Sequence, residues 1–109
     1  MDFKTYQNKA RETAKYPNLG TNIIYPTLGL VGEAGEVAEK VKKVIRDKKG
    51  IFDEESKRAI KKELGDVLWY ISNLCTEFNF SLDETASENL EKLKLRASKG
   101  KISGSGDDR

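Results

Sequence analysis

The 109-residue sequence contains no histidine. This absence excludes His-based catalytic triads, histidine-ligated zinc and imidazole acid–base chemistry. Catalysis by this chain would have to use carboxylates, lysine, tyrosine, the single thiol or a metal ion. The sequence also has only one cysteine, Cys75, which rules out an internal disulfide and fits a reducing cytoplasm.

The sequence further lacks a long apolar run and an excess of one charge. No apolar stretch is long enough to span a bilayer, and we see no signal-peptide pattern. The net charge is +2, with 20 basic and 18 acidic residues interspersed, so no strongly basic field indicates a nucleic acid partner. We therefore expect a cytoplasmic protein that binds neither a membrane nor a nucleic acid polymer.

Length and composition favour a single small helical domain. Apolar residues make up 37% of the chain and charged residues 35%, which suits a helix-rich protein with a thin core. The apolar residues recur at helical spacing and no strand pattern is present. The sequence predicts an all-α antiparallel bundle of about four helices over residues 1–99, its core completed by dimerisation. A flexible Gly/Ser-rich tail is expected over 100–109.

Capping residues predict where the four helices begin. Asp2 and Asp53 are expected N-caps, and Ser81 opens a capping box before the last helix. The helices are expected over about 3–16, 26–48, 54–78 and 82–98. The second and third helices are joined by a short connection, so we expect them to be antiparallel neighbours.

These two helices carry matching acidic motifs, Glu33-Ala34-Gly35-Glu36 and Glu63-Leu64-Gly65-Asp66. Side chains three residues apart are neighbours on a helix, and each pair lies beside an apolar stripe. If the helices face each other, four carboxylates converge and repel unless a cation lies among them. The pattern therefore predicts a site for a hard divalent cation, Mg²⁺, with Mn²⁺ able to substitute.

A solvated helix face is the default interpretation of acidic pairs at this spacing, and the sequence contains others. The glycine inside each motif favours the metal site instead. A glycine within a helix costs about 1 kcal/mol relative to alanine. Gly35 and Gly65 therefore indicate either a close approach of the helices or room for a bulky ligand.

The segments 28–39 and 63–70 resemble the two motif helices of the MazG-type, all-α nucleoside triphosphate pyrophosphohydrolases. Asn89, Lys92 and Arg96 fit that family's Asn-x-x-Lys-Leu-x-x-x-Arg pattern in the fourth helix. The resemblance covers nearly the whole chain. It implies an enzyme that hydrolyses a (deoxy)nucleoside triphosphate to the monophosphate and pyrophosphate with Mg²⁺, assembled as a homodimer or tetramer.

Together, the chemistry and the resemblance suggest roles for individual residues. Glu33, Glu36, Glu63 and Asp66 are expected to hold the metal and to be catalytic, with one glutamate of the first pair as the general base.

Substrate contacts are expected from the third and fourth helices. Tyr70 and Asn73 follow the second motif on the same face, and the resemblance suggests that a tyrosine there contacts the nucleotide. An ordinary tyrosine at the stripe edge is the alternative. Asn89, Lys92 and Arg96 are expected at the substrate, where the two basic side chains could reach phosphates. The alternative interpretation is that these basic side chains lie on a solvated face of the helix.

Several other residues have a structural and a functional interpretation. Trp69 points away from the apolar stripe, so a monomer would leave it largely exposed, and we expect it in a dimer interface or stacked on a nucleobase. Cys75 is expected to be a core thiol. The tail over 104–109 is either disordered or a lid over phosphates. A basic cluster at the end of the second helix most simply offsets the helix dipole, with phosphate steering as a less favoured role: Lys40, Lys42, Lys43, Arg46, Lys48 and Lys49.

Two competing functions stay open at this level. Phosphoribosyl-ATP pyrophosphohydrolase shares the superfamily scaffold, although the first motif looks like the MazG type. The other alternative is a non-catalytic helical module for oligomerisation or regulation. The base, the sugar and the physiological role are not determined by the sequence.

Overall fold

The computed structural model describes residues 1–99, which form four helices: α1 Phe3–Glu12, α2 Ile24–Asp47, α3 Glu54–Glu77 and α4 Leu82–Ser98. No strand occurs within this range, so the prediction of an all-α fold is confirmed. None of these helices combines the length and the apolar character that crossing a membrane requires. The expected tail, with its two interpretations, lies outside the described residues.

Three helices begin at the N-caps expected from the sequence. The carboxylates of Asp2 and Asp53 each accept a hydrogen bond from the backbone N–H three residues later, at 2.7 and 2.8 Å. The Ser81 hydroxyl accepts in the same way at 3.1 Å. Each side chain satisfies a backbone donor that the first helical turn leaves without a partner.

The first helix is shorter than expected, because it ends at Glu12 rather than near residue 16. The Thr13 hydroxyl donates to the Ala10 carbonyl at 2.7 Å, a local side-chain bond that competes with continuation of the helix. Tyr16 then turns inwards and is 7% exposed. The segment 13–23 is therefore a loop that packs against the bundle.

The longest helices, α2 and α3, pack against each other along their length. Their connection turns at Lys49 and Gly50, which both have positive φ angles, of 54° and 74°. α1 packs on α3 and α4, and among the described residues α4 contacts α1 and α3 but not α2. Cys75 is buried in the small core, as predicted. The bundle is thus organised around α3.

The apolar stripes of α2 and α3 are only partly covered. Val31, Ile45 and Leu64 are 67%, 62% and 53% exposed. A thin core with exposed apolar side chains on its main helices is what the composition led us to expect. Completion of the core by dimerisation stays a prediction.

Candidate metal centre

Three of the four carboxylates from the acidic motifs lie together between α2 and α3. Glu33, Glu63 and Asp66 each offer one oxygen, and these oxygens lie within 4.8 Å of one another. We call these three residues the carboxylate cluster. Glu36 lies outside it, although its charge still acts on Glu33. The antiparallel packing of two helices therefore brings both motifs to one place, as a trio rather than a quartet.

The neighbouring carboxylates of the cluster make Glu33 a weaker acid than a free glutamate. Its pKa is raised from 4.5 to about 7, chiefly because its carboxyl group shares a hydrogen bond with Glu63. Burial and the negative charges of Asp66, Glu63 and Glu36 raise this pKa further. The cluster thus disfavours the fully ionised state that a bound cation would stabilise.

One oxygen of Glu63 has no donor. Glu63 Oε2 is buried and has no hydrogen-bond partner among the described residues. Buried carboxylate oxygens are normally paired, because desolvation without a partner is unfavourable. Its other oxygen, Oε1, lies 3.6 Å from the Lys40 ammonium nitrogen. The described residues therefore offer Glu63 one cation, on the Oε1 side, and a proton shared with Glu33, so the buried Oε2 is suited to a metal ion.

The glycines of the motifs do not mark a close approach of the helices. A Cβ atom added at Gly35 or Gly65 would meet no atom within 4 Å outside its own helix and chain neighbours. Of the two interpretations of these glycines, a close approach of the helices is therefore wrong within this chain, and the open space agrees with the other, room for a ligand. The close approach occurs at Gly29, where a Cβ atom would overlap the Tyr70 ring.

Tyr70 lies beside the carboxylate cluster. Its ring packs on Gly29 and meets the Trp69 ring edge-on, with the centroids 4.9 Å apart. Burial raises the pKa of Tyr70, and the nearby Tyr25 and the charges of Glu33 and Asp66 raise it further. The phenol is thus within electrostatic reach of the cluster, although its contact with a nucleotide stays a prediction.

The expectation that Trp69 is largely exposed in a single chain is wrong. Its indole N–H donates to the Thr13 hydroxyl at 2.8 Å, and its ring meets the Tyr16 ring edge-on at 6.5 Å. Both partners belong to the loop that follows α1. A helical wheel of α3 could not reveal this cover, because the loop is remote in sequence.

Asn73 is 1% exposed and is used inside the fold. Its Oδ1 accepts from Arg11 at 3.2 Å, and its amide nitrogen donates to the Trp69 carbonyl at 3.1 Å. The bond from Arg11 holds α1 against α3, whereas the bond to Trp69 lies within α3. A role of Asn73 in substrate binding stays a prediction.

The three α4 candidates have different environments. Asn89 is exposed, Lys92 is half-buried and Arg96 is buried at 6% exposure. The solvated-face interpretation is therefore wrong for Arg96, whose Nη2 is also buried without a hydrogen-bond partner among the described residues. Contact of these side chains with substrate phosphates stays a prediction.

The buried carboxylate of Glu77 accepts four hydrogen bonds and was not anticipated from the sequence. It accepts hydrogen bonds from Arg11 Nη2 at 2.9 Å, the Tyr16 hydroxyl at 2.5 Å, and the backbone N–H groups of Gly20 and Asn22 at 3.0 and 2.9 Å. Its side chain is 0% exposed. These bonds fasten α1 and the following loop to the end of α3.

The electrostatics of Glu77 are opposite to those of Glu33. Burial raises the pKa of Glu77, but the four hydrogen-bond donors outweigh it and hold the pKa at about 2. A sequence signal was present, because an acidic residue in the last turn of a helix opposes the helix dipole and calls for a special partner.

A family model described as the MazG nucleotide pyrophosphohydrolase domain matches residues 26–100. This chain belongs to that family. The match includes both acidic motifs and all of α3 and α4. The resemblance noted from the motifs is confirmed, and the chain carries a nucleotide pyrophosphohydrolase domain of a metal-dependent family.

A phage protein is similar over its full length. The chain is 44% identical over 114 residues to the Gene 37 protein of Mycobacterium phage L5, with 100% of both chains covered. That name states no activity, so it does not narrow the substrate. No solved structure matches the MazG chain significantly.

Proposed function

We propose that this MazG domain hydrolyses a (deoxy)nucleoside triphosphate to the monophosphate and pyrophosphate, with Mg²⁺ held by Glu33, Glu63 and Asp66. One observation carries the proposal. Two helices bring three carboxylate oxygens within 4.8 Å of one another, and one oxygen of Glu63 is buried without a hydrogen-bond donor. An acidic cluster alone would repel a triphosphate, so a cation is needed before the substrate can bind.

The donor set fits Mg²⁺. All candidate ligands are carboxylate oxygens, which hard cations prefer, and the open space at Gly35 and Gly65 leaves room for retained water and phosphate oxygens. Mn²⁺ is expected to substitute. When bound, the metal would neutralise phosphate charge and lower the pKa of a bound water.

Other residues of the chain are assigned to proton transfer and to nucleotide binding. Glu36 lies one turn from Glu33 and makes no hydrogen bond or ion pair among the described residues. We therefore assign to Glu36 the role of accepting the proton of the attacking water, with a secondary electrostatic effect on the metal. Tyr70, on the same face as Asp66, is assigned to contact the nucleotide.

The test is a pyrophosphate-release screen over canonical and modified nucleoside triphosphates, with and without Mg²⁺. We expect release from at least one nucleotide that stops on chelation and returns with Mg²⁺ or Mn²⁺. The panel includes phosphoribosyl-ATP, which would identify the related activity. Folded protein that releases pyrophosphate from no nucleotide at saturating Mg²⁺ would refute the proposal and favour a non-catalytic module.

Two variants separate metal binding from proton transfer. Asp66→Asn is expected to lose both hydrolysis and the stabilisation that Mg²⁺ gives to the folded protein. Glu36→Gln is expected to lose hydrolysis but to keep most of that stabilisation. Glu39→Gln is the matched control, because Glu39 is three residues further along the same helix and pairs with Lys42 at 2.9 Å. Normal turnover of either test variant would contradict the assignment.

A further inference from the structure

We propose that a groove next to the carboxylate cluster binds the pyrophosphate part of the triphosphate, and inorganic pyrophosphate as the product. We call it the basic groove; its cationic residues are Lys40 from α2 and Arg58 and Lys62 from α3. The inference rests on the proposed function, because it assigns a binding site to pyrophosphate, the leaving group of that reaction.

The basic groove adjoins the cluster directly. Its volume is about 380 Å³, and its lining residues are Lys40, Glu55, Arg58, Ala59, Lys62 and Glu63. Glu63 is therefore shared between the groove and the cluster. Lys40 bridges the two helices at this point, with its ammonium nitrogen 3.6 Å from Glu63 Oε1. The residues of both the groove and the cluster come from α2 and α3 alone.

The charges in the groove suit a polyanion. Arg58 and Lys62 form no ion pair within residues 1–99, and the separation between Lys40 and Glu63 is longer than a hydrogen bond. Three cations thus face two carboxylates, one of which belongs to the cluster. Guanidinium and ammonium groups form strong, charge-assisted hydrogen bonds with phosphate oxygens, so a diphosphate would complete this lining.

The order of groups along the helix pair sets the direction of the substrate. Tyr70 packs on Gly29 at one end, the carboxylate cluster lies in the middle, and the basic groove follows at the other end. With a rise of 1.5 Å per residue, Arg58 lies about 7.5 Å along the α3 axis from Glu63, and Tyr70 lies about 10 Å away in the opposite direction. The nucleoside would lie towards Tyr70 and the terminal phosphates towards Arg58.

The experiment measures binding of inorganic pyrophosphate by calorimetry, with the metal chelated and again with Mg²⁺, at fixed low ionic strength. Lys40→Gln and Arg58→Gln are expected to weaken binding about tenfold or more, since each removes a charge-assisted contact. Lys42→Gln is the matched control: Lys42 is on the same helix, is 61% exposed and pairs with Glu39 outside the groove.

Further measurements separate the groove from other effects. Because Lys40 also contacts Glu63, Arg58→Gln tests the groove without altering the neighbour of the cluster. Lys40→Arg is expected to restore most of the pyrophosphate affinity. The nucleoside monophosphate, tested in parallel, is expected to bind all variants equally. Urea midpoints close to that of the wild type would show that the variants are folded.

The outcomes of this test do not depend on turnover. If the Lys40 and Arg58 variants bind pyrophosphate as the Lys42 variant does, or if the wild type binds none, the inference is overturned even if hydrolysis is normal. If the two variants lose affinity while no nucleotide is hydrolysed, the pyrophosphate site stands and the proposed function fails.

Discussion

Replacing Glu77 by glutamine is expected to destabilise the fold strongly at neutral pH. The buried carboxylate has a pKa of about 2, against 4.5 for the free group, which corresponds to roughly 3 kcal/mol of folding free energy. Breaking a buried ion pair by removing one partner gives a similar figure, about 3–5 kcal/mol. Glutamine keeps the shape but turns an amide nitrogen towards groups that all donate hydrogen bonds.

The destabilisation has a definite pH dependence. The pKa of Glu77 is lower in the folded than in the unfolded state, so its stabilisation is complete above pH 4.5 and decreases as the pH falls towards 2. The difference in unfolding free energy between wild type and Glu77→Gln should therefore be largest near pH 7. It should be roughly halved at pH 3.

Urea unfolding at pH 7, 4.5 and 3, at one protein concentration, measures this difference. The fluorescence of Trp69, the only tryptophan, reports on the region that Glu77 holds together. Glu91→Gln is the control, because Glu91 is exposed and forms no ion pair within residues 1–99. A difference below about 1 kcal/mol at pH 7, or one that does not change with pH, would refute the reasoning.

Three further predictions concern the glycines of α2, the hydroxyl of Tyr16 and the carboxylate cluster. Gly29→Ala should destabilise the fold by about 1–3 kcal/mol, because the new methyl group overlaps the Tyr70 ring. Gly35→Ala should instead stabilise the ligand-free chain by up to about 1 kcal/mol. Equal urea midpoints for the two variants would contradict the packing described. Tyr16→Phe removes a 2.5 Å hydrogen bond to a buried carboxylate and should lower the unfolding free energy by about 1.5–3 kcal/mol; an unchanged midpoint would show that this bond adds nothing. Glu33→Gln should raise the melting temperature of the metal-free protein, because it relieves repulsion in the cluster. It should also abolish the rise in melting temperature that Mg²⁺ causes. A lower melting temperature of the metal-free variant would argue against repulsion in the cluster.

The sequence by itself determined the four helices and the starts of three of them, whereas α2 begins at Ile24, two residues before the expected start at Pro26. Asp2, Asp53 and Ser81 cap helices through bonds to the residue three positions later, and such local bonds depend only on neighbours in the chain. The two acidic motifs were also visible, because side chains three residues apart share a helix face wherever the helix lies. A short connection then sufficed to predict that α2 and α3 are neighbours.

The tertiary structure decided which carboxylates form the cluster. Glu36 and Asp66 hold equivalent places in their motifs, yet only Asp66 joins Glu33 and Glu63. The difference depends on the rotation and axial offset of α2 relative to α3, which periodicity within either helix does not specify. For the same reason, the glycine that permits close packing is Gly29 rather than either motif glycine.

The network of Glu77 was decided entirely by tertiary structure. Its four donors lie 55 to 66 residues away along the chain, in α1 and in a loop that has no periodic pattern. The loop takes its path because a buried charge must be matched by donors, and those donors become neighbours only after α1 has packed on α3. Local sequence specifies which segments are helical, whereas the relative placement of distant segments determines which of their polar groups meet.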